Sequence, residues 1–224
     1  MNRPYIICHM MTSVDGRIDC TMTLDLPGEE YYPILDSFDT TTHVSGKITS
    51  QMEIALKGKF MPKCKDIYGH EGFYKAYDAK GYDVIIDNVG ELLYEESDKE
   101  NPRLIITSEK VSKDYLAYLE ERHISWIVVG KEHVDLKKAC EILYKDFHVE
   151  KMVVVGGGHI NAGFLKEGLL DEISILIGAG IDGREGMTSV FDGLDIDSKV
   201  KQLKLKSVKS YPESGAVWIR YDVK

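Results

Sequence analysis

Three consecutive glycines, Gly156, Gly157 and Gly158, stand between the apolar run Val153-Val154-Val155 and an amphipathic stretch from Ile160 to Leu170. β-Branched residues that stop at glycine and resume at helical spacing predict a strand, a tight turn and a helix. The first N–H groups of a helix lack intrahelical partners and sit at the positive end of its dipole, so a phosphate can lie directly on side-chain-free glycines. Glycine also enters such turns for steric reasons alone, but three in a row favour an anion site. His159, the next residue, either touches that anion or is simply solvated.

Three further stretches have the right chemistry. Gly46-Lys47-Ile48-Thr49 opens a second predicted helix with a lysine and a hydroxyl, both able to hold a phosphate oxygen. Its alternative is a surface lysine beside a helix cap. Thr107 and Ser108 close the run Arg103–Ile106, where small hydroxyls suit a nucleotide ribose or its 2′-phosphate, with Lys110 nearby; a simple helix entry is the other reading. Ser13, Asp15, Gly16 and Arg17 follow the first apolar run and form either a ligand-facing loop or a plain turn in which Asp15 accepts backbone N–H groups.

Several machines are excluded. Asn161 stands where a Rossmann fingerprint needs its third glycine, and no acidic residue follows at about twenty positions. GxxxxGK[ST], GxSxG and HExxH are absent, and the 7 histidines form no metal-ligand cluster. Cys8, Cys20, Cys64 and Cys140 show no CxxC pair and read as reduced core or surface thiols.

The elements that must position these residues alternate. Apolar runs at Tyr5–Met11, Thr41–Ser45, Tyr82–Asp87, Arg103–Ser108, Ile124–Val129, Lys151–Val155 and Asp171–Ile177 read as strands, with Leu92–Tyr94 as another short one. Helical spacing marks Glu29–Phe38, the stretch after Gly46, Ser112 to about Arg122 and Leu136–Phe147, and Phe73–Ala79 is expected to be a short helix. Lys201–Tyr211 and Ala216–Val223 flank Pro212-Glu213-Ser214-Gly215 as a terminal hairpin. This repetition predicts a mainly parallel sheet with helices on both faces and ligands at the carboxyl ends of the strands. With 224 residues, 43% apolar and 29% charged, one globular domain spanning 1–224 is expected. A net charge of -9 argues against nucleic-acid or anionic-membrane binding, and no run of 18 apolar residues occurs, so the expectation is a cytoplasmic protein with a small-molecule partner.

Taken in order, Thr12-Ser13-Val14-Asp15-Gly16-Arg17-Ile18, Gly46-x-x-Thr49, and Val154-Val155-Gly156-Gly157-Gly158-His159-Ile160-Asn161 with Leu165 and Glu167-Gly168-Leu169-Leu170-Asp171-Glu172 resemble the pyrimidine reductase family of riboflavin biosynthesis. Asp182-Gly183 and Phe191 also fall in register. The resemblance implies a dihydrofolate-reductase-like fold, a three-layer sandwich with an antiparallel C-terminal hairpin, and a homodimer that binds NADPH in an extended pose. Carried over by position, Gly156, Gly157, Gly158, His159 and Ile160 cradle the pyrophosphate and nicotinamide side, Gly46, Lys47 and Thr49 hold phosphates, and Thr107 and Ser108 meet the 2′-phosphate. Substrate falls to Ser13, Asp15 and Arg17, with Asp15 or water delivering a proton and no metal involved. Departures lie on the substrate side: the Glu29–Phe38 helix has no Arg, Ser50–Phe60 has no Pro-x-Leu, and Val155 replaces a Glu. The HxE and PCxxC pattern of the fused deaminase is missing, so a stand-alone reductase is expected, acting on 5-amino-6-(5-phosphoribosylamino)uracil or a related pyrimidine. The alternatives are a non-catalytic NADP(H)-binding module and a dihydrofolate or pterin reductase.

Overall fold

The computed structural model describes residues 2–64 and 66–224. In chain order it begins with β1 (Tyr5–Thr12), α1 (Cys20–Leu24), α2 (Tyr31–Asp36), β2 (His43–Gly46) and α3 (Lys47–Glu53). Next come β3 (Gly72–Tyr74), β4 (Asp83–Ile86), β5 (Arg103–Thr107), α4 (Lys113–Glu121), β6 (Ser125–Val128) and α5 (Leu136–Lys145). β7 (Lys151–Val154), α6 (Gly158–Lys166), β8 (Glu172–Ile177), β9 (Leu203–Tyr211) and β10 (Ala216–Val223) follow. The fold divides into two compact units, one of Thr41–Met152 with the segment up to Pro4, the other of Tyr5–Thr40 with Val153–Lys224.

In the Thr41–Met152 unit, β2, β4, β5 and β6 are parallel neighbours in that order, and β3 lies antiparallel against β6. β5 is buried from Leu104 to Thr107, as a parallel strand covered on both faces should be. Ser112 caps α4, its side chain accepting from Tyr115 N at 3.2 Å, and Asp114 in the first turn suits the dipole. Tyr115, Leu116 and Leu119 of that helix pack with Ile85, Ile105, Trp126 and Val128 of the strands. Asp135 caps α5 in the same way, accepting from Lys137 N and Lys138 N.

In the other unit β1 and β8 are parallel, from Ile7 opposite Glu172 to Thr12 opposite Ile177. β10 runs antiparallel to β8, and β9 antiparallel to β10 with a bulge at Arg220/Tyr221. One face of these strands is covered, where Ile7, Met11, Val153, Leu176 and Ala216 meet Ile34, Leu35 and Phe38. Cross-strand pairing puts Ile175, Ile219 and Val208 in one row of the opposite face and Ile173, Tyr221 and Leu205 in the next. Val208 and Leu205 are each 56% exposed, so this apolar face stays open at its edge. Glu172, buried at the start of β8, is held on the covered side by Lys206 Nζ at 2.6 Å and Arg220 Nε at 2.5 Å.

The mixed α/β architecture, mainly parallel with an antiparallel terminal hairpin, agrees with the expected class. Three local expectations change. Phe73–Ala79 is not a helix: Phe73 and Tyr74 extend into β3, because β6 offers an open edge and Tyr74 packs near Trp126. Among the described residues Leu92–Tyr94 makes one bridge, Leu56 with Leu93, and its buried side chains serve the core instead. Glu29–Phe38 shortens to α2, where Pro33 occupies the first turn and needs no N–H partner. α1 adds a short helix capped by Asp19. Cys8 and Cys140 are buried free thiols and Cys64 is exposed; burial pushes the Cys8 thiol up and Cys140 up to about 12, which keeps both inert. The Cys20 side chain lies outside the described residues.

Candidate functional site

The glycine turn joins β7 to α6. Gly156 has φ +113, a conformation closed to most side chains, and Met10 Cε would lie 3.0 Å from a Cβ there. The Gly156–Gly157 peptide is cis. Gly157 is the extended N-cap, so its carbonyl accepts from Ile160 N at 2.9 Å and Asn161 N at 3.1 Å. The backbone N–H groups of Gly157, Gly158 and His159 then have no partner among the described residues. Gly158 is needed for close packing, since a Cβ on it would lie 2.4 Å from Ser189 O where the chain at 188–192 passes across the helix start. His159 is exposed and lies over Gly193, while Ile160 is half-buried. Asn161 is fully buried, its Nδ2 donating to Val190 O at 2.7 Å and its Oδ1 unpaired.

After β1, Gly16 turns at φ +77 and Ser13 binds its own loop, donating to Asp15 Oδ1 at 2.7 Å and accepting from Arg17 N at 3.2 Å. Asp15 also accepts from Asp182 N at Oδ1 and from Gly183 N at Oδ2, each at 3.0 Å. These donors, Ser13 first, pull its carboxyl down to about 2. Arg17 Nη1 donates to Met187 O, and its Nε is buried without a partner.

In the Thr41–Met152 unit Gly46 caps α3 and Lys47 is its first residue. Lys47 Nζ is engaged by Glu91 and stands 4.0 Å from Asp87 Oδ1, so its charge is compensated. Thr49 is half-buried. Thr107 and Ser108 are both fully buried and part company: Ser108 Oγ donates to Asn88 O at 2.8 Å and accepts from Lys110 N at 3.3 Å, while Thr107 Oγ1 is unpaired. Lys110 pairs with Glu132. Asp87 and Asn161 escaped the sequence reading. Asp87, buried at the end of β4, accepts from Glu91 N and Leu92 N at Oδ2 and leaves Oδ1 without a hydrogen bond. Its signal was an acid closing the run Val84–Ile86 before Asn88 and Gly90, a turn signature. Asn161 carried none beyond its place after the glycines. No group of three or more His, Cys, Asp or Glu able to hold a metal occurs among the described residues.

Parallel strands whose carboxyl ends open into glycine turns and helix starts, closed by an antiparallel terminal hairpin, make a mixed α/β fold, and the solved structures it matches place it in the dihydrofolate-reductase-like class. The chain belongs to the RibD C-terminal domain family, whose profile matches residues 72–217. It is 27% identical over 199 residues to the 2,5-diamino-6-ribosylamino-4(3H)-pyrimidinone 5′-phosphate reductase of Aquifex aeolicus, covering 86% of this chain and 84% of that protein. The enzyme of the same name from Methanothermobacter thermautotrophicus is 30% identical over 125 residues, which are 56% of this chain and 57% of that relative's length. Among solved structures, a pyrimidine reductase-like protein from Corynebacterium diphtheriae shares the fold, with a TM-score of 0.72, 18% identity, and coverage of 100% of this chain and 93% of that one.

Proposed function

We propose that this chain is an NADPH-dependent reductase of riboflavin biosynthesis that transfers a hydride to a phosphoribosylated pyrimidine, the substrate class named for its relatives. The observation that carries the cofactor reading is the row of three unpartnered N–H groups at Gly157, Gly158 and His159, at the positive end of α6. They fit a pyrophosphate, and Gly156 and Gly157 present no side chain to obstruct it. Bound NADPH supplies the hydride from C4 of its nicotinamide to a C=N or C=O carbon, and the protein orients the partners. Arg17, with a buried Nε still unpaired, is the cation offered to a ribosyl 5′-phosphate. Thr107, whose hydroxyl is unpaired, is the better candidate of the 107–108 pair for a cofactor contact, since Ser108 and Lys47 are engaged by their own neighbours.

The same reading includes a cytoplasmic homodimer. No described helix is long and apolar enough to cross a membrane. The open apolar face bearing Ile175, Ile219, Val208 and Leu205 supports self-association, and Val208→Asp is expected to convert dimer to monomer in sedimentation. For the activity, the protein is mixed separately with NADPH and NADH and presented with the phosphoribosylated pyrimidine and with dihydrofolate, following loss of reduced-nicotinamide absorbance. Turnover of the pyrimidine with NADPH is expected. Binding without turnover of any substrate identifies a sensing module instead, and turnover of dihydrofolate alone moves the assignment to pterin chemistry.

A further inference from the structure

From Gly178 to Gly193 the chain forms no helix or strand, yet it is fastened along its length. Near its start, Val14 N donates to Gly180 O at 2.8 Å, and Asp15 receives the N–H groups of Asp182 and Gly183. Arg184 bonds Asp182 beside it and reaches Asp19 at 2.7 Å. Further on, Arg17 Nη1 donates to Met187 O and Ile18 N donates to Thr188 O at 3.0 Å. At the far end Asn161 Nδ2 holds Val190 O at 2.7 Å, and Asp192 N donates to Gly158 O at 3.2 Å. One strap is therefore stitched both to the Ser13–Asp19 loop and to the head of α6.

We propose that Asp15 is a positioning residue, whose carboxylate clamps the Asp182–Gly183 turn so that the 178–193 strap holds Arg17 and the α6 glycines in register for their ligands. This rests on the reductase reading. Three donors already occupy the carboxylate, from Ser13, Asp182 and Gly183, which uses most of its roughly four acceptor positions. With Ser13 Oγ, Asp182 N and Gly183 N all donating to it, and its carboxyl held down to about 2 by these bonds, the carboxylate is placed as an acceptor and not as a proton donor. The Asp182–Arg184–Asp19 contacts reinforce the same fastening from its flank.

The test compares wild type with Asp15→Asn, and with Ser13→Ala as a milder lesion, by amide hydrogen exchange across 178–193 and by steady-state kinetics. In Asp15→Asn the amides of Asp182 and Gly183 are expected to exchange about tenfold faster or more, as a lost charge-assisted hydrogen bond permits. KM for the pyrimidine and Kd for NADPH rise together by about tenfold while kcat falls less than that, the pattern of misplaced binding groups. Ser13→Ala moves the same readouts in the same direction by less. Unchanged exchange at Asp182 and Gly183 in Asp15→Asn overturns the clamp. A fall in kcat of about 10²–10⁴ with KM unaltered overturns it in favour of a general acid. If wild type turns over no pyrimidine with NADPH, the reductase reading fails, and the exchange arm still decides the clamp.

Discussion

Replacing Gly158 with alanine tests the packing at the head of α6. The new Cβ meets Ser189 O at 2.4 Å, Thr188 Cγ2 at 2.7 Å and Asp192 Cβ at 3.2 Å. The nearest of these is backbone, which cannot rotate away, so the strap itself must move. Overpacking of this kind costs about 1–3 kcal/mol. Displacing the strap also stretches the Asp192 N to Gly158 O bond, 3.2 Å now, worth about 1 kcal/mol. Alanine returns up to about 1 kcal/mol of helix propensity, since Gly158 opens the helix and has no positive φ to protect. The net loss is about 2 kcal/mol, which for a chain of this size lowers Tm by about 4–8 °C. Thermal unfolding followed by circular dichroism measures it, with Gly168→Ala as reference: there φ is +67 and nothing lies within 4 Å, so only the conformational penalty of about 1 kcal/mol applies. Because the displaced segment crosses the helix start, NADPH affinity is expected to fall alongside stability. A Gly158→Ala protein melting within a degree or two of wild type would refute the reasoning, for it would mean the strap gives way without cost.

Other outcomes follow from single residues. Asp15 has a depressed carboxyl, so its contribution to stability is fully present above the unfolded value of about 3.9 and is lost as pH falls toward about 2. The Tm difference between wild type and Asp15→Asn should therefore be flat from neutral pH to about 5 and close below it; a gap that changes between pH 6 and 8 contradicts the assignment. Glu172→Gln leaves Arg220 and Lys206 facing a neutral group, and because both cations keep some access to solvent the expected loss is about 2–3 kcal/mol, below that of a fully buried pair, measured by urea unfolding. Thr107→Val removes a buried hydroxyl that has no partner among the described residues, so stability should hold or rise by up to about 1 kcal/mol while KM for NADPH increases. Lower stability with an unchanged KM would place that hydroxyl in the core and not at the cofactor.

Where a residue's neighbours lie close in sequence, its role was readable. Ser112 as a helix cap, Gly46 as a helix entry, the apolar runs of β5 and β6, and the glycine turn all follow from local pattern, because caps and strand periodicity involve partners a few residues away. β3 is not legible locally because Phe73 and Tyr74 take their conformation from the edge of β6, more than fifty residues on. Ser108 as a ligand hydroxyl or a helix entry, and Lys47 as a phosphate holder or a surface lysine beside a cap, stay open in the sequence because the partners they make, Asn88 O and Glu91, lie 20 and 44 positions away. Asp15 is the sharpest case. A turn that feeds its own backbone was one reading of it, but two of its donors are 167 and 168 positions away, and no spacing rule reaches that far.

The division of the chain has a consequence for how it is made. The Thr41–Met152 unit is nearly continuous, so almost all its strands are available to one another once that stretch has left the ribosome. β1 is made before either of its sheet neighbours, β7 and β8, and the β8 partner of Ile7, Glu172, follows 165 residues later. At about 5–20 residues per second that is roughly 10–30 s before the β1–β8 pair can close. During synthesis, the need for chaperone protection therefore falls on β1, well before the glycine turn has been translated.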